Sequence, residues 1–195
     1  MPKTESHPVT LGFRAPDFSL PGPTGQEVAL ADFADRPALL VAFISNRCPF
    51  VLLLREAFAT FANEYAEKGL AVIAINSNDP VAHPEEALER LGIEAQEQGY
   101  RFPYLKDASQ EVAKAYQAAC TPDLFLFDGE RRLVYHGQFD DARPGNGRSV
   151  TGADLRAAAD AVLRGNPPLA HQVPSIGCNI KWAENNAPAS ISAAA

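Results

Sequence analysis

The chain has 195 residues, 46% of them apolar and 21% charged, with a formal net charge of −7. That length suits one domain with a sizeable core, and the acidic balance argues against nucleic acid or an anionic membrane as partner. No stretch approaches the roughly 20 consecutive apolar residues of a membrane span.

Residues 1–15 read as a loose arm. The opening MPKTESHPVT is polar and carries no apolar run of signal-peptide type, so a cytoplasmic setting is expected, where thiols stay reduced. Residues 18–20 and 27–30 flank Pro21-Gly22-Pro23-Thr24-Gly25 and predict a small N-terminal β-hairpin. Residues 38–44 form a nearly unbroken apolar run, the mark of a strand buried on both faces. Ser45-Asn46-Arg47 breaks the run, and Cys48-Pro49 follows. Beyond Pro49 the apolar period changes, with Val51, Leu54, Phe58, Phe61 and Tyr65 on one helical face. Proline suits the first helical turn, where its missing N–H costs nothing. Cys48 therefore stands where a central strand ends and a helix begins. The unpaired N–H groups of the helix start and the charge of Arg47 both favour a thiolate there, which is the nucleophilic form.

Gly69 ends this helix, and 70–75 predicts a second buried strand, completing a parallel βαβ unit. Pro84 opens a helix with Leu88, Leu91 and Ala95 on one face, and its acidic residues read as a solvated face. A short strand is expected at 102–105 and a short helix at 109–116. Cys120-Thr121-Pro122 precedes a strand at 123–128, which returns antiparallel at 132–137. The polar stretch 138–150 reads as a loop whose Asp140, Asp141 and Arg143 face either the active site or solvent. Thr151 and Asp154 have capping-box spacing for a last helix, and 166–195 read as an irregular tail ending in a disordered Ala/Ser/Asn stretch.

The run LLVAFISNRCPFV resembles the strand–turn–CxxC–helix of the thioredoxin-like superfamily, and APDFSLPGPTGQEVALADF resembles the opening of its AhpC/TSA (peroxiredoxin-like) branch. The resemblance implies a thioredoxin-like α/β domain over 10–165, a central mixed β-sheet flanked by helices, with the N-terminal hairpin added and 166–195 as a C-terminal tail. It places Cys48 at the first cysteine of CxxC, and it places Thr121-Pro122 at a cis-proline loop beside that cysteine. Val51 occupies the second cysteine position, and Ala42 replaces the buried acid of the strand. The peroxiredoxin motif PxxxTxxC meets Val41 and Ser45 at its Pro and Thr positions.

These residues point to a thiol-dependent oxidoreductase in which the Cys48 thiolate attacks a disulfide. The alternatives are a thiol peroxidase with Cys48 attacking peroxide, and a non-catalytic thiol sensor or binding module. The expected catalytic set is Cys48, Cys120, Cys178, Arg47, Thr121 and Pro122. Cys120 and Cys178 compete to resolve the Cys48 intermediate. The narrow preference is for Cys120, which the folded body holds in place, over Cys178 on a travelling tail. The expected partners are a disulfide or peroxide substrate and a thiol reductant such as a thioredoxin. No cofactor is expected. Three scattered cysteines lack the paired short spacing of a zinc site, and His7, His83, His136 and His171 read as surface or strand residues. Oligomeric state is open.

Overall fold

The computed structural model describes residues 3–189. Its centre is a five-stranded sheet. Strands β4 (Ala38–Phe43), β5 (Leu70–Asn76) and β6 (Tyr104–Lys106) run parallel, while β8 (Asp123–Asp128) and β9 (Leu133–His136) pair antiparallel on the other side of β4. Every residue of β4 and β5 is buried. Their side chains alternate between two separate cores, as the two-residue period of a strand requires. Leu40, Ala42, Val72 and Leu126 meet helix α1 (Pro49–Ala66), α4 (Ala153–Leu163) and Leu91 of α2 (Leu88–Glu97). Leu39, Val41, Phe43 and Ile73 face the opposite layer, built from α3 (Glu111–Tyr116), Phe18, Leu20 and Leu30. The expected hairpin is present as β2 (Ser19–Pro21) and β3 (Glu27–Ala29). This is the thioredoxin-like architecture that the resemblance implied. No helix among the described residues is long and apolar enough to cross a membrane.

Both ends of the chain are more ordered than their composition indicates. Instead of a loose arm and an irregular tail, β1 (Lys3–Glu5) and β10 (Ile176–Asn179) pair with each other. β10 also pairs with β7 (Cys120–Thr121), giving a three-stranded antiparallel sheet in the order β1-β10-β7. Hydrogen bonding, not apolar patterning, secures these segments, which is why a hydrophobic period does not reveal them. Ser6 and Ser175 bond each other through both backbones and the Ser6 hydroxyl, while Ile180 and Trp182 pack onto the second core. Residues 190–195, part of the stretch expected to be disordered, lie outside the described residues.

The capping box is not formed. Gly152 precedes α4 at φ 68°, and the Asp140 carboxylate accepts the Thr151 and Gly152 N–H groups, each at 2.6 Å. Asp140 does this from a buried position, so the loop it belongs to serves the helix start.

Gly177 is the tightest joint in the tail. A Cβ at this position would stand 1.9 Å from the Thr121 carbonyl oxygen. Gly177→Ala should therefore part β10 from β7 and lower stability by about 1–3 kcal/mol, the usual cost of overpacking. Urea unfolding checks the loss, and faster iodoacetamide labelling of Cys178 checks its location.

Candidate active site

Cys48 is the N-cap of α1, with φ −70° and ψ 120°, and Pro49 opens the first turn. The Leu52 N–H bonds the Cys48 carbonyl at 2.9 Å, so the helix starts directly at the cysteine. The thiol is 3% exposed and donates to the Thr121 carbonyl at 2.9 Å. The Thr121–Pro122 bond is cis, as expected from the resemblance.

The turn before Cys48 is held by one hydroxyl. Ser45 Oγ accepts the N–H groups of Arg47 and Cys48, each at 3.2 Å, and donates to Glu86 Oε1 at 2.7 Å. Glu86 Oε2 accepts the Asn46 N–H at 3.0 Å and Asn76 Nδ2 at 2.6 Å. Lys106 Nζ donates to Asn76 Oδ1 at 2.7 Å, and burial pushes its ammonium down to about 8. Glu86 is buried, which corrects the reading of the acids after Pro84 as a solvated face. A 3₁₀ turn (Pro84–Glu86) precedes α2, so Glu86 does not follow the helix period. It points instead at a loop 40 residues earlier in the chain. No local spacing announces such a contact.

The second thiol at the site is Cys178. Strand β10 sets Cys178 opposite Thr121, the residue whose carbonyl accepts the Cys48 thiol, so both thiols reach the same cleft. Burial, and after it the neighbouring Cys48 thiol, push the Cys178 thiol up to about 12, with Lys181 opposing. Cys120 lies one residue from Thr121, but its Sγ turns to the Pro122 carbonyl at 3.5 Å and it has no exposed surface. Burial, with Asp123 adding repulsion, pushes its thiol well up. The ground for preferring Cys120 was a mobile tail, and the pairing of β10 removes it.

Cys48 and Cys178 open on a cleft of about 220 Å³ that Ser45, Arg47, His83, Glu85, Asn179 and Lys181 also line. Arg47 is exposed. His83 sits at this rim with Nδ1 3.9 Å from Glu85. His136 is a strand residue, at the end of β9, and it is buried: its Nε2 lies 2.7 Å from Asp123 Oδ1 and its ring stacks on Phe125. Arg143 donates to the Asp140 and Ala142 carbonyls, each at 2.7 Å, and Asp141 pairs with Arg148, so this loop is not part of the cleft. No cluster of metal-ligating side chains occurs among the described residues.

A thiol at a helix start, a carbonyl from a cis-proline loop and a second thiol beside them define a thioredoxin-like protein. The AhpC/TSA family profile matches residues 11–136, and the chain belongs to that family. The thiol-disulfide oxidoreductase ResA of Geobacillus kaustophilus is 29% identical over 140 residues, which are 69% of this chain and 74% of ResA. A protein of Mycobacterium tuberculosis named as a candidate peroxiredoxin is 29% identical over 115 residues, 59% of this chain and 68% of its own. A solved structure of a hypothetical protein from Sinorhizobium meliloti 1021 is 70% identical. It superposes with a TM-score of 0.92 over 93% of this chain and all of its own.

Two outcomes follow from this geometry. Ser45→Ala strands Glu86 Oε1 and two backbone N–H groups in a buried turn, so urea unfolding should show a loss of about 1–3 kcal/mol. The Cys178 thiol rises on folding from an ordinary 9.0 to about 12. Above pH 9 the unfolded chain has released a proton that the folded one keeps, so this contribution to stability is lost as pH climbs from about 9 to 12. Cys178→Ala should flatten that decline relative to the parent in urea titrations at pH 8 and 10.5.

Proposed function

We propose that the protein is a thiol–disulfide oxidoreductase in which Cys48 is the attacking thiol and Cys178 the resolving one. The observation that carries this reading is the placement of both thiols at one cleft, with Cys48 donating to the Thr121 carbonyl and β10 setting Cys178 opposite Thr121. The Cys48 sulfur attacks one sulfur of a substrate disulfide, and the other sulfur leaves as a thiolate that takes up a proton. Cys178 then attacks the Cys48 sulfur of the mixed disulfide. Its own proton goes to the departing substrate thiolate, and a Cys48–Cys178 disulfide remains. An external dithiol of the thioredoxin type, available in a reducing cytoplasm, restores both thiols.

The order of the two steps follows from the electrostatics. Burial holds the Cys178 proton on, and the neighbouring Cys48 thiol adds to that hold. Once Cys48 is in a mixed disulfide its share of the hold is gone, so Cys178 gives up its proton more readily after substrate has reacted than before. Disulfide exchange is preferred over peroxide reduction because the Ser45 hydroxyl, at the motif position of the peroxiredoxin threonine, gives its proton to Glu86.

Non-reducing peptide mapping after reaction with a disulfide tests the assignment. The parent and Cys120→Ser should yield a Cys48–Cys178 peptide. Cys178→Ser should accumulate a mixed disulfide on Cys48, and Cys48→Ser should lose all turnover. An intramolecular disulfide in Cys178→Ser would assign the resolving role elsewhere. A parent that reacts once and is not returned to the dithiol form by thioredoxin would be a sensor and not an enzyme.

A further inference from the structure

Extended peptides bind proteins most readily by adding a strand to a free sheet edge. Beside Cys48 no such edge is free among the described residues. Cys178 and Asn179 pair with Thr121 and Cys120, and β1 covers the outer edge of β10. The 1.9 Å clearance for a Cβ at Gly177 leaves no slack for a second chain between β10 and the Thr121 carbonyl. Access to Cys48 is through the cleft, whose volume of about 220 Å³ accommodates a small molecule or one half of a small disulfide.

The charges of the cleft are unevenly committed. Glu86 already accepts hydrogen bonds from Ser45, Asn46 and Asn76. Glu85 has His83 at 3.9 Å. Arg47 and Lys181 line the same cleft, and neither forms an ion pair with a carboxylate among the described residues. Lys181 Nζ is held by the Asn179 carbonyl and Asn179 Oδ1 at 2.8 and 2.9 Å, two neutral acceptors that fix its position without neutralising it. Two cations with no ion-pair partner among the described residues thus line the cleft of the two thiols, in a chain whose net charge is −7, with Glu85 and Glu86 as the carboxylates of the same lining.

We infer that the substrate is a low-molecular-weight disulfide bearing carboxylates, with Arg47 and Lys181 as its specificity residues, and not a protein disulfide. The inference rests on the thiol-exchange reading above. The reaction transfers two electrons from the Cys48–Cys178 dithiol to the small disulfide RS–SR, releasing two RSH and leaving the protein disulfide. The external dithiol supplies the electrons for the next turn.

The test uses the pre-reduced full chain and three disulfides of similar size: dithiodiglycolate, 2-hydroxyethyl disulfide and cystamine, which are anionic, neutral and cationic. Insulin serves as the protein disulfide. Each rate is divided by the rate of the same disulfide with free 2-mercaptoethanol, which removes intrinsic reactivity. The expected normalised rate for dithiodiglycolate is about tenfold that for cystamine, with the neutral disulfide between them. Insulin should stay at background. Arg47→Gln and Lys181→Gln should each bring the anion-to-cation ratio about threefold closer to one. A ratio near one or inverted in the parent, or insulin reduced as readily as the small disulfides, overturns the specificity while thiol exchange stands. A protein that leaves all four disulfides intact overturns the exchange reading and this inference with it.

Discussion

The contact between Gly177 and the Thr121 carbonyl is the constraint on which the site depends. It exists only because residue 177 has no side chain. It lets β10 lie close enough to β7 for Cys178 to face Thr121 and share a cleft with Cys48. The second thiol is therefore local and buried, and burial keeps its proton on. Thioredoxin keeps both thiols on one helix turn. This chain holds one at the helix start and brings the other 130 residues later in sequence, across a sheet edge.

The second support is polar. A strand end and a helix start leave N–H groups without partners. Here Ser45 and Glu86 take three of them, those of Asn46, Arg47 and Cys48. Asn76 of β5 holds Glu86 and is itself held by Lys106 of β6. A buried carboxylate is costly unless its oxygens are occupied, and both oxygens are. The turn that carries Cys48 is therefore held from both sides, while the same cleft is lined by the exposed Arg47 and by His83.

The sheet and its helices were legible in the sequence because burial there has a period. Residues 38–44 lack polar interruptions and become β4, and the 3.6-residue spacing of Val51, Leu54 and Phe58 becomes α1. Cys48 and the Thr121–Pro122 loop were legible through the motif. The rest depends on contacts with no local signature. Glu86 looks like any acid after a helix-opening proline, and the Asp123 partner of His136 is 13 residues away on a paired strand. SIGCNIKW is short and half polar, so its pairing on both sides could not be seen from its own residues.

The joining of β1 to β10 pairs Lys3, Thr4 and Glu5 with Cys178, Gly177 and Ile176, segments far apart in the chain. Ribosomal synthesis delivers the N-terminal segments first, so Cys48, its turn and most of the central sheet emerge well before residue 178. Until then β1 and β7 have no strand between them, and the edge beside Cys48 is open. The nascent chain thus passes through a stage with Cys48 already in its turn, an uncovered backbone edge beside it and no Cys178 opposite Thr121. Strand β10, among the last segments described, covers that edge when it pairs on both sides.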